Sequence, residues 1–109
     1  MEKIATKIVI KDMFKGLDFL GTRLSGEKVR KEMENAFKDN KAVILDFQGI
    51  DGITQGFADE IVGIFVRHYG KDFVKENIKA ENYNEEIKNI LNWVVSYSNK
   101  WRKKEVAMA

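Results

Sequence analysis

The residues of this chain best able to do chemistry fall in one short stretch. Asp46-Phe47-Gln48-Gly49-Ile50-Asp51-Gly52-Ile53-Thr54-Gln55-Gly56-Phe57-Ala58-Asp59-Glu60 holds four carboxylates, one hydroxyl and three glycines. Paired carboxylates can serve as general acid and base, or hold a hard cation. A threonine hydroxyl can accept a phosphoryl group, which adds charge and strong acceptors at one point. A glycine-bearing turn into a helix offers backbone N–H groups and the positive end of a dipole to an anion. Spacing trims these options. The acids do not follow the EF-hand pattern, so no metal is expected. No Gly-Lys-Ser/Thr follows the glycines and they do not form G-x-G-x-x-G, so no nucleotide loop is expected. The chain can also cap itself here. Gly56 is the expected N-cap, Asp59 can reach back to it, and Asp59 and Glu60 set negative charge against the helix dipole.

The rest of the inventory is thin. The chain has 109 residues, no cysteine and one histidine. Disulfides, zinc–thiolate sites, iron–sulfur clusters and multi-histidine metal sites are excluded. His68 has no serine in a compelling relation to it and reads as a packed or partly exposed helical residue. Nineteen basic residues against seventeen acidic ones leave +2, too little to argue for nucleic acid. No apolar run is long enough to cross a membrane. The start Met1-Glu2-Lys3-Ile4 has no apolar leader, and with zero cysteines a reducing cytoplasm is the expected compartment. Lys100-Trp101-Arg102-Lys103-Lys104 reads as favourable charge at a helix C-terminus. Trp93, Tyr97 and Lys100 share a second face of that helix. They are either interface anchors or packed beneath the glycine-containing residues 12–24.

The elements that must position the acidic corner are legible from periodicity. Ile4, Thr6, Ile8 and Ile10 alternate with other residues as a strand does. Residues 12–24 read as a loop or short hairpin. Ser25 is the expected N-cap of a helix with Val29, Met33, Ala36 and Phe37 as its apolar stripe. Ala42 to Phe47 is an apolar run ending in a carboxylate, the signature of a central strand covered on both faces. A second helix is expected from about Phe57 to a C-cap at Gly70, then a short strand at 78–82. A last helix opened by Asn84 carries the stripe Ile87, Ile90, Leu91, Val94, Val95 and Trp101. One domain, 1–109, follows: α/β, a small mixed sheet with helices packed against it.

Several stretches resemble one family. Gly21-Thr22-Arg23, Ser25-Gly26-Glu27 with Arg30, Val43 to Phe47 with Gly49-Ile50, and Phe57 to Glu60 with Gly63 and Arg67 are similar to motifs of the STAS-like domains of unknown function, relatives of the STAS anti-sigma-factor antagonists. The resemblance implies a β-α-β-α-β-α order and a regulatory switch component rather than an enzyme. STAS antagonists bind an ATPase-fold, histidine-kinase-like regulatory kinase, which phosphorylates a hydroxyl at the start of the helix after the central strand. Here Gln55 and Gly56 stand at the usual hydroxyl positions, and Thr54 is the remaining acceptor. The expected partner surface is Arg23, Gly49, Asp51, Thr54, Gln55, Gly56, Phe57, Asp59 and Glu60. The partner is expected to be a protein, with no cofactor, nucleic acid or membrane involved. The rival readings are an immunity- or antitoxin-like binder and a small hydrolase using the loop carboxylates.

Overall fold

The computed structural model describes residues 3–108, and at its centre lies β3 (Ala42–Asp46). β1 (Ala5–Val9) flanks it on one side and β5 (Ile78–Glu81) on the other. Ala5 lies opposite Ala42 and Val9 opposite Asp46. On the other edge Val43 lies opposite Ile78 and Asp46 opposite Glu81. The α/β class and the small sheet with packed helices are as expected. The ladders, however, are parallel rather than mixed, because each strand returns to the sheet through helical crossovers. Val43 and Leu45 are buried, while Ala42 and Ile44 on the opposite face are only half-buried. The strand expected to be covered on both faces is thus fully covered on one.

Residues 12–24 form neither a simple loop nor a hairpin. A single turn, α1 (Ile10–Met13), leads to β2 (Phe19–Leu20). β2 pairs in parallel with β4 (Gly52–Ile53), making a second, two-stranded sheet beside the first. α2 (Arg23–Lys38) begins three residues earlier than expected. Thr22 caps it, its hydroxyl accepting from the Ser25 N–H at 3.0 Å. Val29, Met33 and Ala36 are buried as the stripe requires.

The helix after the corner runs from Gln55 to Tyr69 in three parts: α3 (Gln55–Ala58), a π-helical turn (Asp59–Gly63) and α4 (Ile64–Tyr69). Gly70 ends it at φ 96°, a left-handed conformation that glycine adopts without strain. A short helix not expected from the sequence, α5 (Lys71–Asn77), fills the way to β5. Phe73 on α5 sits edge-on to Phe37 of α2, ring centres 5.3 Å apart, closing one end of the core. α6 (Glu85–Met108) opens on Asn84, whose side-chain oxygen accepts from the Ile87 N–H at 2.9 Å. Ile87, Leu91, Val94 and Ser98 line its buried face. Trp101, expected among them, is exposed, as is His68 at the end of α4. Among the described residues no helix is long and apolar enough to cross a membrane. Met1 and Glu2, where the leader reading begins, lie outside the described residues.

Candidate functional site

The corner between β3 and α3 is held at every step. Asp46 is buried at the strand's end. Its Oδ1 accepts from the Gln48 N–H and from Asn82 Nδ2, each at 2.9 Å, and its Oδ2 faces Lys7 Nζ at 3.5 Å. The Asn82 and Gln48 hydrogen bonds hold this carboxyl below the usual carboxylate range. Phe47 and Ile50 turn inward, and Gly49 makes the exposed bend at φ 82°. The Asp51 N–H then donates to the Asp18 carbonyl at 2.6 Å, and the Thr54 N–H donates to that of Leu20 at 3.1 Å. The corner is thus laced to the segment carrying β2.

Thr54, not Gly56, is the N-cap of α3. Its hydroxyl accepts from the Phe57 N–H at 3.2 Å and donates to the Gly21 carbonyl at 3.1 Å. The helix therefore starts at Gln55, two residues before its expected beginning.

Behind the cap, two acids meet three arginines. Arg67 grips Asp59 with two nitrogens, at 2.6 and 3.1 Å, and Arg23 reaches the same carboxylate at 2.9 Å. Glu60 lies between Arg23 and Arg30, both at 3.3 Å. Burial pushes the Asp59 carboxyl up, but the hydrogen bonds and charges of Arg67 and Arg23 outweigh it and leave it below the ordinary value. The Arg23 guanidinium is raised in turn, chiefly by its hydrogen bond to Asp59. Two glycines let the helices approach closely enough for this. A methyl at Gly26 would lie 2.7 Å from Glu60 Cβ, and one at Gly63 would overlap Asp59 Oδ1 and lie 2.9 Å from Val94 Cγ1. The π-turn falls at the two acids, the kind of local irregularity that recurs at functional sites.

Arg23, Gly26, Arg30, Asp59, Glu60, Gly63 and Arg67, scattered through the sequence motifs, are thus one interlocked cluster joining α2 to the helix after the corner. The STAS-like domain of unknown function, as a family, matches residues 25–88, more than half of the chain. The chain belongs to this family. No curated protein and no solved structure gives a match.

This geometry sorts the surface residues expected of the STAS-like domain. Gly49, Asp51 and Gln55 are exposed. Thr54, Gly56 and Asp59 are half-buried, and Arg23 is exposed. Phe57 and Glu60 are corrections. Phe57 has no exposed surface because it faces the core from the first turn of α3, and Glu60 is buried against its arginines. Neither presents an exposed side chain in this conformation. Asp59 and Glu60 are each held by two arginines. Among the described residues, no group of three or more metal-ligating side chains stands together.

Two features of the STAS-like domain were not legible beforehand. Phe19 and Leu24 are 53% and 65% exposed; the Phe19 ring lies against Gly21 and Gly52 at the corner, and Leu24 follows Arg23 in the first turn of α2. A groove of about 480 Å³ runs between Arg23, Gln55 and Arg67 and the aromatic rings of Trp93, Tyr97 and Trp101. Trp93 therefore does not pack beneath residues 12–24. Hydrophobic type was visible in the sequence, but exposure is set by which elements lie above each residue.

Proposed function

We propose that this STAS-like domain is a regulatory binding module. Its partner protein docks on the rim formed by Gly49, Asp51, Thr54, Gln55, Gly56, Arg23, Phe19 and Leu24. The observation that carries this reading is the exposure of two large apolar side chains, Phe19 and Leu24, on segments that meet a helix start capped by Thr54. Exposed apolar groups rimmed by polar ones mark interaction sites. The rim also needs little ordering on binding, because the corner behind it is already held. The internal pairing of Asp59 and Glu60 supports a scaffold role for those acids and leaves recognition to the rim.

The partner class that fits the family resemblance is an ATPase-fold regulatory kinase, and Thr54 is its acceptor. Phosphorylation would remove the hydroxyl's donation to Gly21 and place about −1.5 to −2 charges on the rim beside Gly56 and Arg23. That change would alter a docked interface directly.

Affinity capture with the wild-type chain beside a Leu24→Asp, Gln55→Lys variant tests the surface. Wild type should retain an ATPase-fold protein that the variant loses, while circular dichroism of the two stays the same. Equal retention by both overturns the docking surface. Incubating the captured kinase with ATP and the chain tests the modification. An unmodified Thr54 by mass spectrometry overturns that part alone.

A further inference from the structure

The outward flank of α6 carries a pattern that its own domain does not use. Trp93 and Tyr97 stack on each other in solvent, ring centres 5.2 Å apart and planes 10° apart, 51% and 58% exposed. They belong to a longer stripe. Glu86, Ile90, Trp93, Tyr97, Lys100 and Lys104 recur at spacings of four and three, which places them along one side of the helix. All but the half-buried Ile90 are exposed. The stripe begins acidic, is aromatic in the middle and ends basic.

The order is self-complementary about Val95. Glu86 lies nine residues before Val95 and Lys104 nine after; Trp93 lies two before and Tyr97 two after. Turned end for end, the stripe meets itself in register. Glu86 faces Lys104 of a second copy, Trp93 faces the second copy's Tyr97, and the two-fold axis repeats both contacts. Ile90 then faces the aliphatic stem of the second copy's Lys100. The polar groups at the two ends fit a copy of this chain better than a polyanion, which Glu85 and Glu86 would repel at one end.

We propose that this α6 flank is the interface of a two-fold homodimer, with the helices antiparallel and Trp93 and Tyr97 at its centre. The flank adjoins the docking rim, because Trp93 and Tyr97 line one groove with Arg23 and Gln55, but Glu86 and Lys104 lie outside that groove and their charge exchange tests the dimer separately.

Sedimentation equilibrium of the full chain from micromolar to millimolar concentration is the test. The mass should rise from 12.6 kDa toward twice that value. Lys104→Glu sets two like-charge contacts across the axis and should weaken dimerisation roughly tenfold. Glu86→Lys combined with Lys104→Glu restores the pairing with its signs exchanged and should recover most of that loss. Trp93→Ala, which removes two central anchors at once, should weaken the dimer about a hundredfold or more. All three positions are exposed or near-exposed on the helix, and circular dichroism confirms the fold of each variant. A chain that stays at 12.6 kDa to millimolar concentration overturns the proposal. So does a dimer indifferent to Lys104→Glu, a charge exchange that restores nothing, or a monomer that associates only when an oligonucleotide or anionic vesicles are added.

Discussion

Gly63→Ala is the sharpest probe of the ion cluster. Gly63 ends the π-turn, and a methyl there would overlap Asp59 Oδ1, lie 2.9 Å from Val94 Cγ1 and lie 3.1 Å from Ser98 Oγ. Either α6 must move off the helix after the corner or Asp59 must swing away from Arg67. Overpacking of this kind costs about 1–3 kcal/mol. Losing the two-nitrogen grip of Arg67 on Asp59 costs a further 1.5–3 kcal/mol or so. Alanine returns roughly 0.5–1 kcal/mol through helix propensity. With both costs in place the net destabilisation is about 1.5–5.5 kcal/mol, a large share of the ~5–15 kcal/mol that holds an ordinary domain. Urea denaturation followed by far-ultraviolet circular dichroism reads it directly, with the midpoint falling and the slope unchanged. The same substitution in an Asp59→Ala background should cost at least about 1 kcal/mol less, because the carboxylate it collides with is gone. A Gly63→Ala chain as stable as wild type, or stabilised as propensity alone would make it, refutes the close approach of these helices.

Two further outcomes follow from the same geometry. Thr54→Ala should cost about 1 kcal/mol in urea midpoint stability, because the Phe57 N–H loses its cap, while Thr54→Ser should cost well under half of that; equal stability of the two variants would count against the cap. Asp46 and Asp59 both ionise more readily folded than unfolded, so the unfolded state binds more protons as the medium is acidified. Their contribution is fully present above the ordinary carboxyl value of 3.8 and is lost as pH falls through the lower folded values. Thermal melts across this acid range should show a falling midpoint, less steeply for Asp59→Asn than for wild type. A midpoint that rises on acidification contradicts the pairing.

Periodicity exposed the elements whose signals are local. The apolar run of β3, the stripe of α2 and the Asn84 cap of α6 all stand where the residues indicated. Caps with two candidates were harder. Ser25 and Gly56 are both plausible N-caps by type, but the chain uses Thr22 and Thr54, three residues before the N–H each one serves. The β2–β4 pairing was hidden because two strands of two residues carry no period to read. α5 was hidden because Phe73 and Val74 are its only large apolar anchors.

The amino-acid order by itself determined the α/β class, the central strand, and a motif set that marks a STAS-like domain. Those properties follow from residue type and from spacings within a turn or two. The tertiary structure alone decided that Phe57 and Glu60 face inward, that Arg23 lies on Asp59 across 36 positions, and that the rings of Trp93 and Tyr97 stay in solvent. A helical stripe says which residues share a side, not what covers that side. Only the packing of α2 and α6 against the helix after the corner turned one set of acids into an internal lock and left the aromatics of α6 facing outward.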